Sequence, residues 1–179
     1  MPSRYRVTAG WVVGVLVVLL ARPTALSLAL GLPLAVAGEA ARLWASGHIE
    51  KTRCLATGGP YAHSRNPLYV GSLLIALGVA VACWSPWVVL AVALYFLAFY
   101  PTVMREEAAF LERKFPVEYA AWEQAVPLFW PRLQPGGPRT SRFEWARVRL
   151  NREWRTAAAL PLLAMLLLAL PHLRRWLGA

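Results

Sequence analysis

The chain has 179 residues, 58% of them hydrophobic, and several of its apolar runs approach the ~20 residues that a helix needs to cross a bilayer. Its 19 lysines and arginines outnumber the 9 acidic residues, but they lie between apolar runs and not on a soluble basic face, which argues against nucleic-acid binding. The two cysteines, Cys54 and Cys83, lack the spacing of a metal site or a disulfide framework, so no metal ligand is predicted.

Hydropathy predicts an all-α fold, a polytopic membrane bundle built as one domain over residues 1–179. We expect about five transmembrane helices, with approximate spans Val7–Ala21, Thr24–Ala45, Leu68–Cys83, Pro86–Val103 and Thr156–Leu173. Only Arg22 and Pro23 separate the first two spans, so these are predicted to form an antiparallel pair. Together they exceed the hydrophobic region of a signal peptide, which favours a retained helical hairpin.

The connecting segments carry their positive charge unequally. If the N-terminus is cytoplasmic, most of the basic residues fall on the cytoplasmic side, in Arg4, Arg6, the Lys51–Arg65 loop and the Arg105–Arg155 segment. The opposite side then keeps only Arg22, Arg174 and Arg175. This asymmetry matches the positive-inside rule, so we expect an integral membrane protein whose polar motifs open toward the cytoplasm.

Two segments between the fourth and fifth spans are predicted to be helices outside the hydrocarbon layer. Arg105–Phe115 mixes good helix formers with charges and reads as a helix that emerges from the membrane. A linker follows at Pro135–Pro138. Beyond it, apolar residues recur at helical spacing among arginines, as expected of a basic amphipathic helix on an anionic leaflet or of a solvated connector; they are Phe143, Ala146, Leu150 and Trp154.

Glu39 and Arg42 are charged residues near one end of the second span. An ionisable side chain near the centre of a spanning helix costs at least about 2.5 kcal/mol, so such residues usually face a partner or a cavity. The two residues are three positions apart and share a helical face. Either they neutralise each other while Arg42 reaches the interface, or Arg42 presents a cation to an anionic substrate and Glu39 orients its guanidinium.

Glu106 and Glu107 are adjacent carboxylates that follow the fourth span. Neighbouring side chains on a helix point about 100° apart, so the two carboxylates cannot point in the same direction, either toward solvent or toward the bundle. We expect at least one of them to turn inward. The alternative is an ordinary solvated stretch of helix.

An ordered set of motifs covers roughly residues 36–133. It consists of Gly58-Gly59-Pro60-Tyr61, Arg65-Asn66-Pro67-Leu68-Tyr69-Val70-Gly71, Glu106-Glu107, Leu111, Phe115, Tyr119 and Val126-Pro127. In order and spacing this set resembles the isoprenylcysteine carboxyl methyltransferase and phospholipid methyltransferase family. The resemblance implies a membrane-embedded methyltransferase that uses S-adenosylmethionine. Asn66 departs from the family's usual histidine, and because an amide carries no titrating proton, a titrating role at this position is in doubt.

The chemistry of the implied cofactor suggests a role for each motif. Glu106 and Glu107 suit its ammonium group, Arg65 suits its carboxylate, and tyrosines suit its adenine or sulfonium. Pro67 begins a helix where its missing N–H costs little. The resemblance thus implies eleven cofactor-binding residues: Gly59, Tyr61, His63, Arg65, Asn66, Pro67, Tyr69, Tyr100, Glu106, Glu107 and Tyr119.

Glu39 and Arg42 are the expected catalytic residues, because their segment resembles one that lies near the substrate in eukaryotic carboxyl methyltransferases. This resemblance favours O-methylation of a carboxylate on an isoprenoid or prenylcysteine-like acceptor, which is already ionised at pH 7 and needs no general base. N-methylation of a lipid headgroup or S-methylation of a thiol is the alternative, with His63 as candidate base. An NADPH-dependent sterol-type reductase and a non-catalytic membrane binding protein are the remaining alternatives.

Overall fold

The computed structural model describes residues 2–50, 54–137 and 141–177, with the side chains of residues 2–7 and 177 left out. Lys51, Pro138 and the side chains of Arg4 and Arg6, which entered the charge and linker predictions, therefore lie outside the described residues. Within the described ranges the regular structure is helical. The helices are α1 (Pro2–Leu20), α2 (Ala25–Ser46), a short 3₁₀ helix (Gly59–Ala62), α3 (Pro67–Cys83), α4 (Pro86–Lys114), α5 (Pro116–Ala125), α6 (Trp145–Leu150) and α7 (Trp154–Leu177).

Three helices are long and apolar enough to cross a membrane: Ala25–Ser46, Pro86–Lys114 and Trp154–Trp176. The first and third predicted spans correspond to the shorter apolar helices Thr8–Leu20 and Pro67–Cys83. The prediction of an all-α membrane bundle is thus confirmed, whereas the count of five crossings stays a prediction.

Four glycines bring the backbones of α2 and α3 into direct contact. Gly31 lies against Gly78, and Gly38 lies against Gly71, so the two helices run antiparallel. A Cβ atom at Gly38 would lie only 2.6 Å from the carbonyl oxygen of Gly71. Small residues at such repeated positions allow close helix packing where no water drives association. The contact places the end of α2 directly beside the start of α3.

Helix α1 packs mainly against α4, so the predicted close pairing of α1 with α2 is wrong. The extended residues 21–24 separate the two helices, and the glycine face of α2 is already occupied by α3. The connection is anchored instead by the backbone N–H of Arg22, which donates to the carbonyl of Cys83 at 2.7 Å. From the far end of α7, Arg174 donates to the carbonyls of Ala21 and Leu19.

The predicted fourth span and the predicted emerging helix form one continuous helix, α4. Its 29 residues extend about 43 Å at 1.5 Å per residue, well beyond a ~30 Å hydrocarbon layer. The charged part from Arg105 onward therefore reaches past the apolar bundle, as predicted. Helix α5 folds back against it, and Tyr119 and Trp122 of α5 are buried together with Tyr61.

The predicted basic amphipathic helix is much shorter than expected. Helix α6 ends at Leu150, and Arg152 adopts a left-handed conformation with φ of 57° before α7 begins. The residue that α6 buries is Val148, whereas the predicted stripe residue Leu150 is 79% exposed. The break has a tertiary cause: the Asn151 amide donates to the carbonyls of Ser46 and Ile49 at the end of α2.

Candidate functional site

The loop that joins the 3₁₀ helix to α3 is hydrogen-bonded to the segment after α5. The backbone N–H of Arg65 donates to the carbonyl of Pro127 at 2.9 Å, and the Ser64 hydroxyl donates to the carbonyl of Phe129 at 2.7 Å. The amide of Asn66 donates to the carbonyl of Leu128 at 2.9 Å. Asn66 is buried and lines neither of the cavities that contain Arg65 and His63, so the structure gives it a loop-fixing role that needs no titratable group.

Arg65 connects this loop to α5. Its Nη1 atom donates to the Tyr119 hydroxyl at 2.7 Å and to a carboxylate oxygen of Glu123 at 2.5 Å. Burial raises the pKa of Tyr119 and the Arg65 charge opposes that shift, so this hydroxyl stays neutral at pH 7. The buried Nε of Arg65 has no hydrogen-bond partner among the described residues. A buried donor without a partner fits a site whose anionic ligand has still to bind.

Arg65 lines a cavity of about 370 Å³ at the end of α2, α3 and α4. The cavity has the size and the mainly apolar wall of a small-molecule site. Aromatic and aliphatic side chains make up most of its wall, and a few charged groups face in. Its main lining residues are Tyr61, Arg65, Leu68, Glu107, Phe110, Leu111, Phe115 and Trp122.

Of the two adjacent carboxylates, Glu107 lines the cavity and Glu106 lies on the exposed surface outside it. Both side chains are exposed, so the two carboxylates differ only in that Glu107 lines the cavity, and the expected contact of both with one ligand stays a prediction. A carboxylate oxygen of Glu107 accepts a hydrogen bond from the Tyr69 hydroxyl at 2.9 Å. The Tyr100 ring packs edge-on against Tyr69, with centroids 5.3 Å apart, and so holds it in place.

Arg42 forms its ion pair with Glu153, so the predicted pairing with Glu39 is wrong. The Nε and Nη2 atoms of Arg42 each lie 2.6 Å from the same carboxylate oxygen of Glu153. Its Nη1 atom donates to the Ser72 hydroxyl at 2.5 Å and approaches the carbonyl of Leu68 at 3.5 Å. Glu39 is buried, and neither of its carboxylate oxygens has a hydrogen-bond partner among the described residues.

Tyr61 lines the same cavity as Arg65 and Glu107. Its side chain is buried, and its backbone carbonyl accepts a hydrogen bond from the Trp122 indole at 2.9 Å. Burial raises the pKa of Tyr61 well above 10, the nearby carboxylates of Glu107 and Glu153 raise it further, and Arg42 acts in the opposite direction. The hydroxyl is therefore neutral at pH 7.

His63, Pro67 and Gly59 lie on other faces of the loop. His63 and Pro67 line a second, mostly apolar cavity of about 330 Å³, where the His63 Nδ1 lies 2.8 Å from the carbonyl oxygen of Arg132. Gly59 has a φ of +56°, and a Cβ atom there would collide with the ring of His48. None of the three lines the cavity that contains Arg65 and Glu107.

A larger cavity of about 1020 Å³ lies at the opposite end of the bundle, between the ends of α1, α3 and α7. Arg22, Trp84, Trp87 and Arg174 belong to its wall, and none of the predicted site residues does. The chemistry-bearing residues therefore favour the smaller cavity as the candidate site.

Sequence reasoning missed Glu153, Ser72, Glu123 and Trp122. Each completes the contacts of a residue that was identified, yet each lies dozens of positions from its partner, and for Glu153 and Arg42 the separation is 111 residues. The sequence does indicate that Arg42 has an acidic partner, because an arginine in a membrane helix needs one. Glu39 is the nearest candidate in sequence, whereas the partner in the structure is Glu153.

Comparison with known proteins adds an independent observation. A sequence model of the family described as phospholipid methyltransferase matches residues 11–118. The cobalt-zinc-cadmium resistance protein CzcN of Cupriavidus metallidurans is 42% identical over 106 residues, 58% of this chain and 47% of that protein. The nickel-cobalt-cadmium resistance protein NccN of Alcaligenes xylosoxydans xylosoxydans is 37% identical over 106 residues, 58% of this chain and 48% of that protein. The chain thus spans about half the length of these curated relatives, and no solved structure matches it significantly.

Proposed function

This chain belongs to the phospholipid methyltransferase family, and we propose on that premise that it transfers a methyl group from S-adenosylmethionine to a lipophilic acceptor in the membrane. One observation carries the proposal: a cation, Arg65, and a carboxylate, Glu107, line one cavity together with Tyr61. A ligand that bears an ammonium, a carboxylate and an aromatic base on one small frame requires this combination.

The residues present fit the cofactor. The unpartnered Nε of Arg65 is a donor for the cofactor's carboxylate, and Glu107 is an acceptor for its ammonium. Phe110 and Trp122 supply apolar ring surface for adenine. When bound, S-adenosylmethionine supplies an electrophilic methyl group whose transfer leaves a neutral thioether.

The chain's own residues then act by alignment and by exclusion of water. Tyr61 contributes a neutral side chain to the cavity wall, and Leu68 also lines the cavity while its carbonyl lies 3.5 Å from the Arg42 Nη1 atom. No residue needs to form a covalent bond. The apolar helices leave the acceptor's hydrocarbon part in lipid, while its reactive group reaches the polar end of the bundle.

Carboxyl O-methylation of an isoprenoid or prenylcysteine-like acceptor is the first candidate reaction. It is supported by Arg42, which Glu153 and Ser72 hold beside the cavity wall. Of the five N–H groups of this guanidinium, one on Nη2 has no assigned acceptor among the described residues and can donate to an acceptor carboxylate.

N-methylation of an amine headgroup is the second candidate, and a different observation favours it. Two carboxyl groups interact electrostatically with the single guanidinium of Arg42, Glu153 in direct contact and Glu39 without one, and like charges disfavour a third carboxylate there. An amine acceptor that arrives protonated would instead find a complementary environment, although it has to lose its proton before it attacks. A carboxylate acceptor therefore requires a net positive charge around Arg42, whereas a protonated amine acceptor requires a net negative charge there.

The experiment that tests the proposal is incubation of the purified protein, in lipid nanodiscs, with methyl-labelled S-adenosylmethionine and a total lipid extract. Label that partitions with the lipid supports methyl transfer. Base treatment then releases volatile label from an ester, whereas N- or S-methyl label stays in place. Binding of S-adenosylmethionine without any lipid labelling would refute the catalytic proposal and favour a binding protein. Oxidation of NADPH by the purified protein in the presence of the same lipid extract would favour a reductase.

We also propose that the site faces the cytoplasm, where S-adenosylmethionine is available. The proposal rests on the positive charge of the segments at the site end of the bundle. Cysteine labelling from each side of sealed vesicles would test it at Cys54, which is exposed at this end. Labelling of Cys54 only from the side opposite the cytoplasm would reverse the orientation.

A further inference from the structure

The segment from Ser141 to Glu153 lies beyond the residues that match the family, yet it is closely docked onto the end of α2. The Ser141 hydroxyl accepts a hydrogen bond from the backbone N–H of Gly58 at 3.1 Å, and the backbone N–H of Glu144 donates to the carbonyl of Gly47 at 2.9 Å. The Asn151 amide makes the two bonds to α2 described above. These contacts run along the whole segment, so it has one defined position against the site.

Arg147 adds a charged contact in the middle of the segment. Its Nη2 atom lies 3.1 Å from the carboxylate of Glu50, which is part of the cavity wall, and 2.8 Å from the carboxylate of Glu144. The segment is therefore tied both to α2 and to the rim of the cavity. A loop that only connected two helices would not need this number of specific polar contacts.

The segment ends by burying Glu153. The left-handed turn at Arg152 directs the chain so that Glu153 is only 6% exposed, with its carboxylate against Arg42. A carboxylate this deeply buried needs a strong partner to offset its desolvation. Arg42 is held on its other side by Ser72, so its guanidinium is fixed between the C-terminal segment and α3.

Close packing of α2 on α3 fixes the path of the Arg42 stem but not the direction of its guanidinium. A Cβ atom at Gly71 would lie 2.6 Å from the Arg42 Cγ, so the stem of Arg42 crosses α3 at a residue that has no side chain. Without Glu153, a long arginine side chain one turn from a helix end would instead extend toward water at the interface. Glu153 thus determines the direction in which the guanidinium points.

We propose that Glu153 is a positioning residue for methyl transfer, which holds the Arg42 guanidinium at the acceptor side of the cavity. This inference rests on the proposed function, because it assigns the C-terminal segment a part in the same site. Glu153 acts through Arg42 and touches neither cofactor nor acceptor. It follows that the segment 141–153 is part of the active site and not merely a linker to the last membrane helix.

The test is a double-mutant cycle with Glu153→Gln, Arg42→Gln and the double variant, and with Glu118→Gln on the exposed surface of α5 as the matched control. S-adenosylmethionine affinity is measured by calorimetry, turnover with labelled cofactor and total lipid extract, and folding by thermal unfolding. We expect Glu153→Gln to lower turnover at least about tenfold while the cofactor Kd changes less than about threefold. In the Arg42→Gln background, Glu153→Gln should lower turnover no further, and Glu118→Gln should resemble the wild type.

Three results would overturn the inference: wild-type turnover in Glu153→Gln, a further independent loss in the double variant, or a parallel loss of cofactor affinity and folding. The last result would mean that Glu153 is only structural. If Glu153→Gln fails to fold, Glu153→Asp takes its place in the cycle, because it keeps the charge and retracts it by one methylene. A wild-type protein that binds no S-adenosylmethionine and labels no lipid would instead refute the proposed function, and this inference with it.

Discussion

Replacing Glu107 by glutamine removes one negative charge from the cavity wall and leaves the shape of the side chain almost unchanged. The Glu107 carboxylate accepts a hydrogen bond from the Tyr69 hydroxyl at 2.9 Å, so the orientation of the carboxylate is fixed before any ligand binds. A hydrogen bond to a charged group contributes about 1.5–3 kcal/mol, and each 1.4 kcal/mol is a factor of ten in affinity. We therefore expect Glu107→Gln to weaken S-adenosylmethionine binding by about 10- to 100-fold, measured by isothermal titration calorimetry.

The neighbouring Glu106 provides a control with the same change in net charge, because it is exposed like Glu107 but does not line the cavity. Glu106→Gln should leave the Kd within about threefold of the wild type, since a solvated charge that does not line the cavity is screened from the ligand. Titration with S-adenosylhomocysteine separates two roles. Equal losses for both ligands assign Glu107 to the ammonium, and a loss for S-adenosylmethionine alone assigns it to the sulfonium. Equal effects of the two variants, or an unchanged Kd in Glu107→Gln, would refute the placement of the cofactor.

Three further predictions follow from single contacts. Arg65→Ala should lower the affinity for S-adenosylmethionine, measured by calorimetry, more than about tenfold. Glu123→Gln removes only a half-exposed partner of Arg65 and should change this affinity little. Equal losses in the two variants would mean that Arg65 is purely structural. Gly38→Ala should lower the free energy of unfolding in detergent by about 1–3 kcal/mol, because the new Cβ would meet the backbone of α3. Gly14→Ala, whose Cβ meets open space, should raise the free energy of unfolding by about 0.5–1 kcal/mol. Stabilisation by both substitutions would contradict the close contact between α2 and α3. The pKa of Tyr61 is raised in the folded protein, so its contribution to stability is complete below about pH 10 and is lost as the pH rises toward that raised pKa. In Tyr61→Phe the unfolding midpoint should therefore fall less steeply above pH 10 than in the wild type. Identical alkaline slopes in the two proteins would refute this prediction.

Much of the fold could be predicted because lipid imposes a simple rule on the sequence. Apolar runs must be helical where no water can bond the backbone, and Pro67, Pro86 and Pro116 each begin a helix at a position where a missing N–H is harmless. Helix pairing was less predictable. The short link at Arg22 suggested that α1 and α2 pack together, but the glycines of α2 and α3 allow a closer contact than any that α1 could make.

The candidate site was predicted to the extent that it consists of motifs close together in sequence. Arg65, Tyr61 and Glu107 were identified in advance, and they line one cavity. Arg42 was identified with the wrong partner, because the i,i+3 spacing to Glu39 is visible in the sequence and the contact with Glu153 across 111 residues is not. Tertiary contacts also shortened α6, since Asn151 bonds to α2 in place of continuing the helix.

The division of the site between two parts of the chain suggests how acceptor choice and cofactor binding are separated. Arg65 and Glu107 both lie within residues 11–118, the range that matches the family, and they belong to the cavity proposed for the cofactor. Arg42 also lies in that range, but Glu153, which fixes its direction, does not. A change at Glu153 can therefore redirect the Arg42 guanidinium without altering a residue of the cofactor cavity. We accordingly expect the segment 141–153 to influence which acceptor is methylated more than how tightly the cofactor is bound.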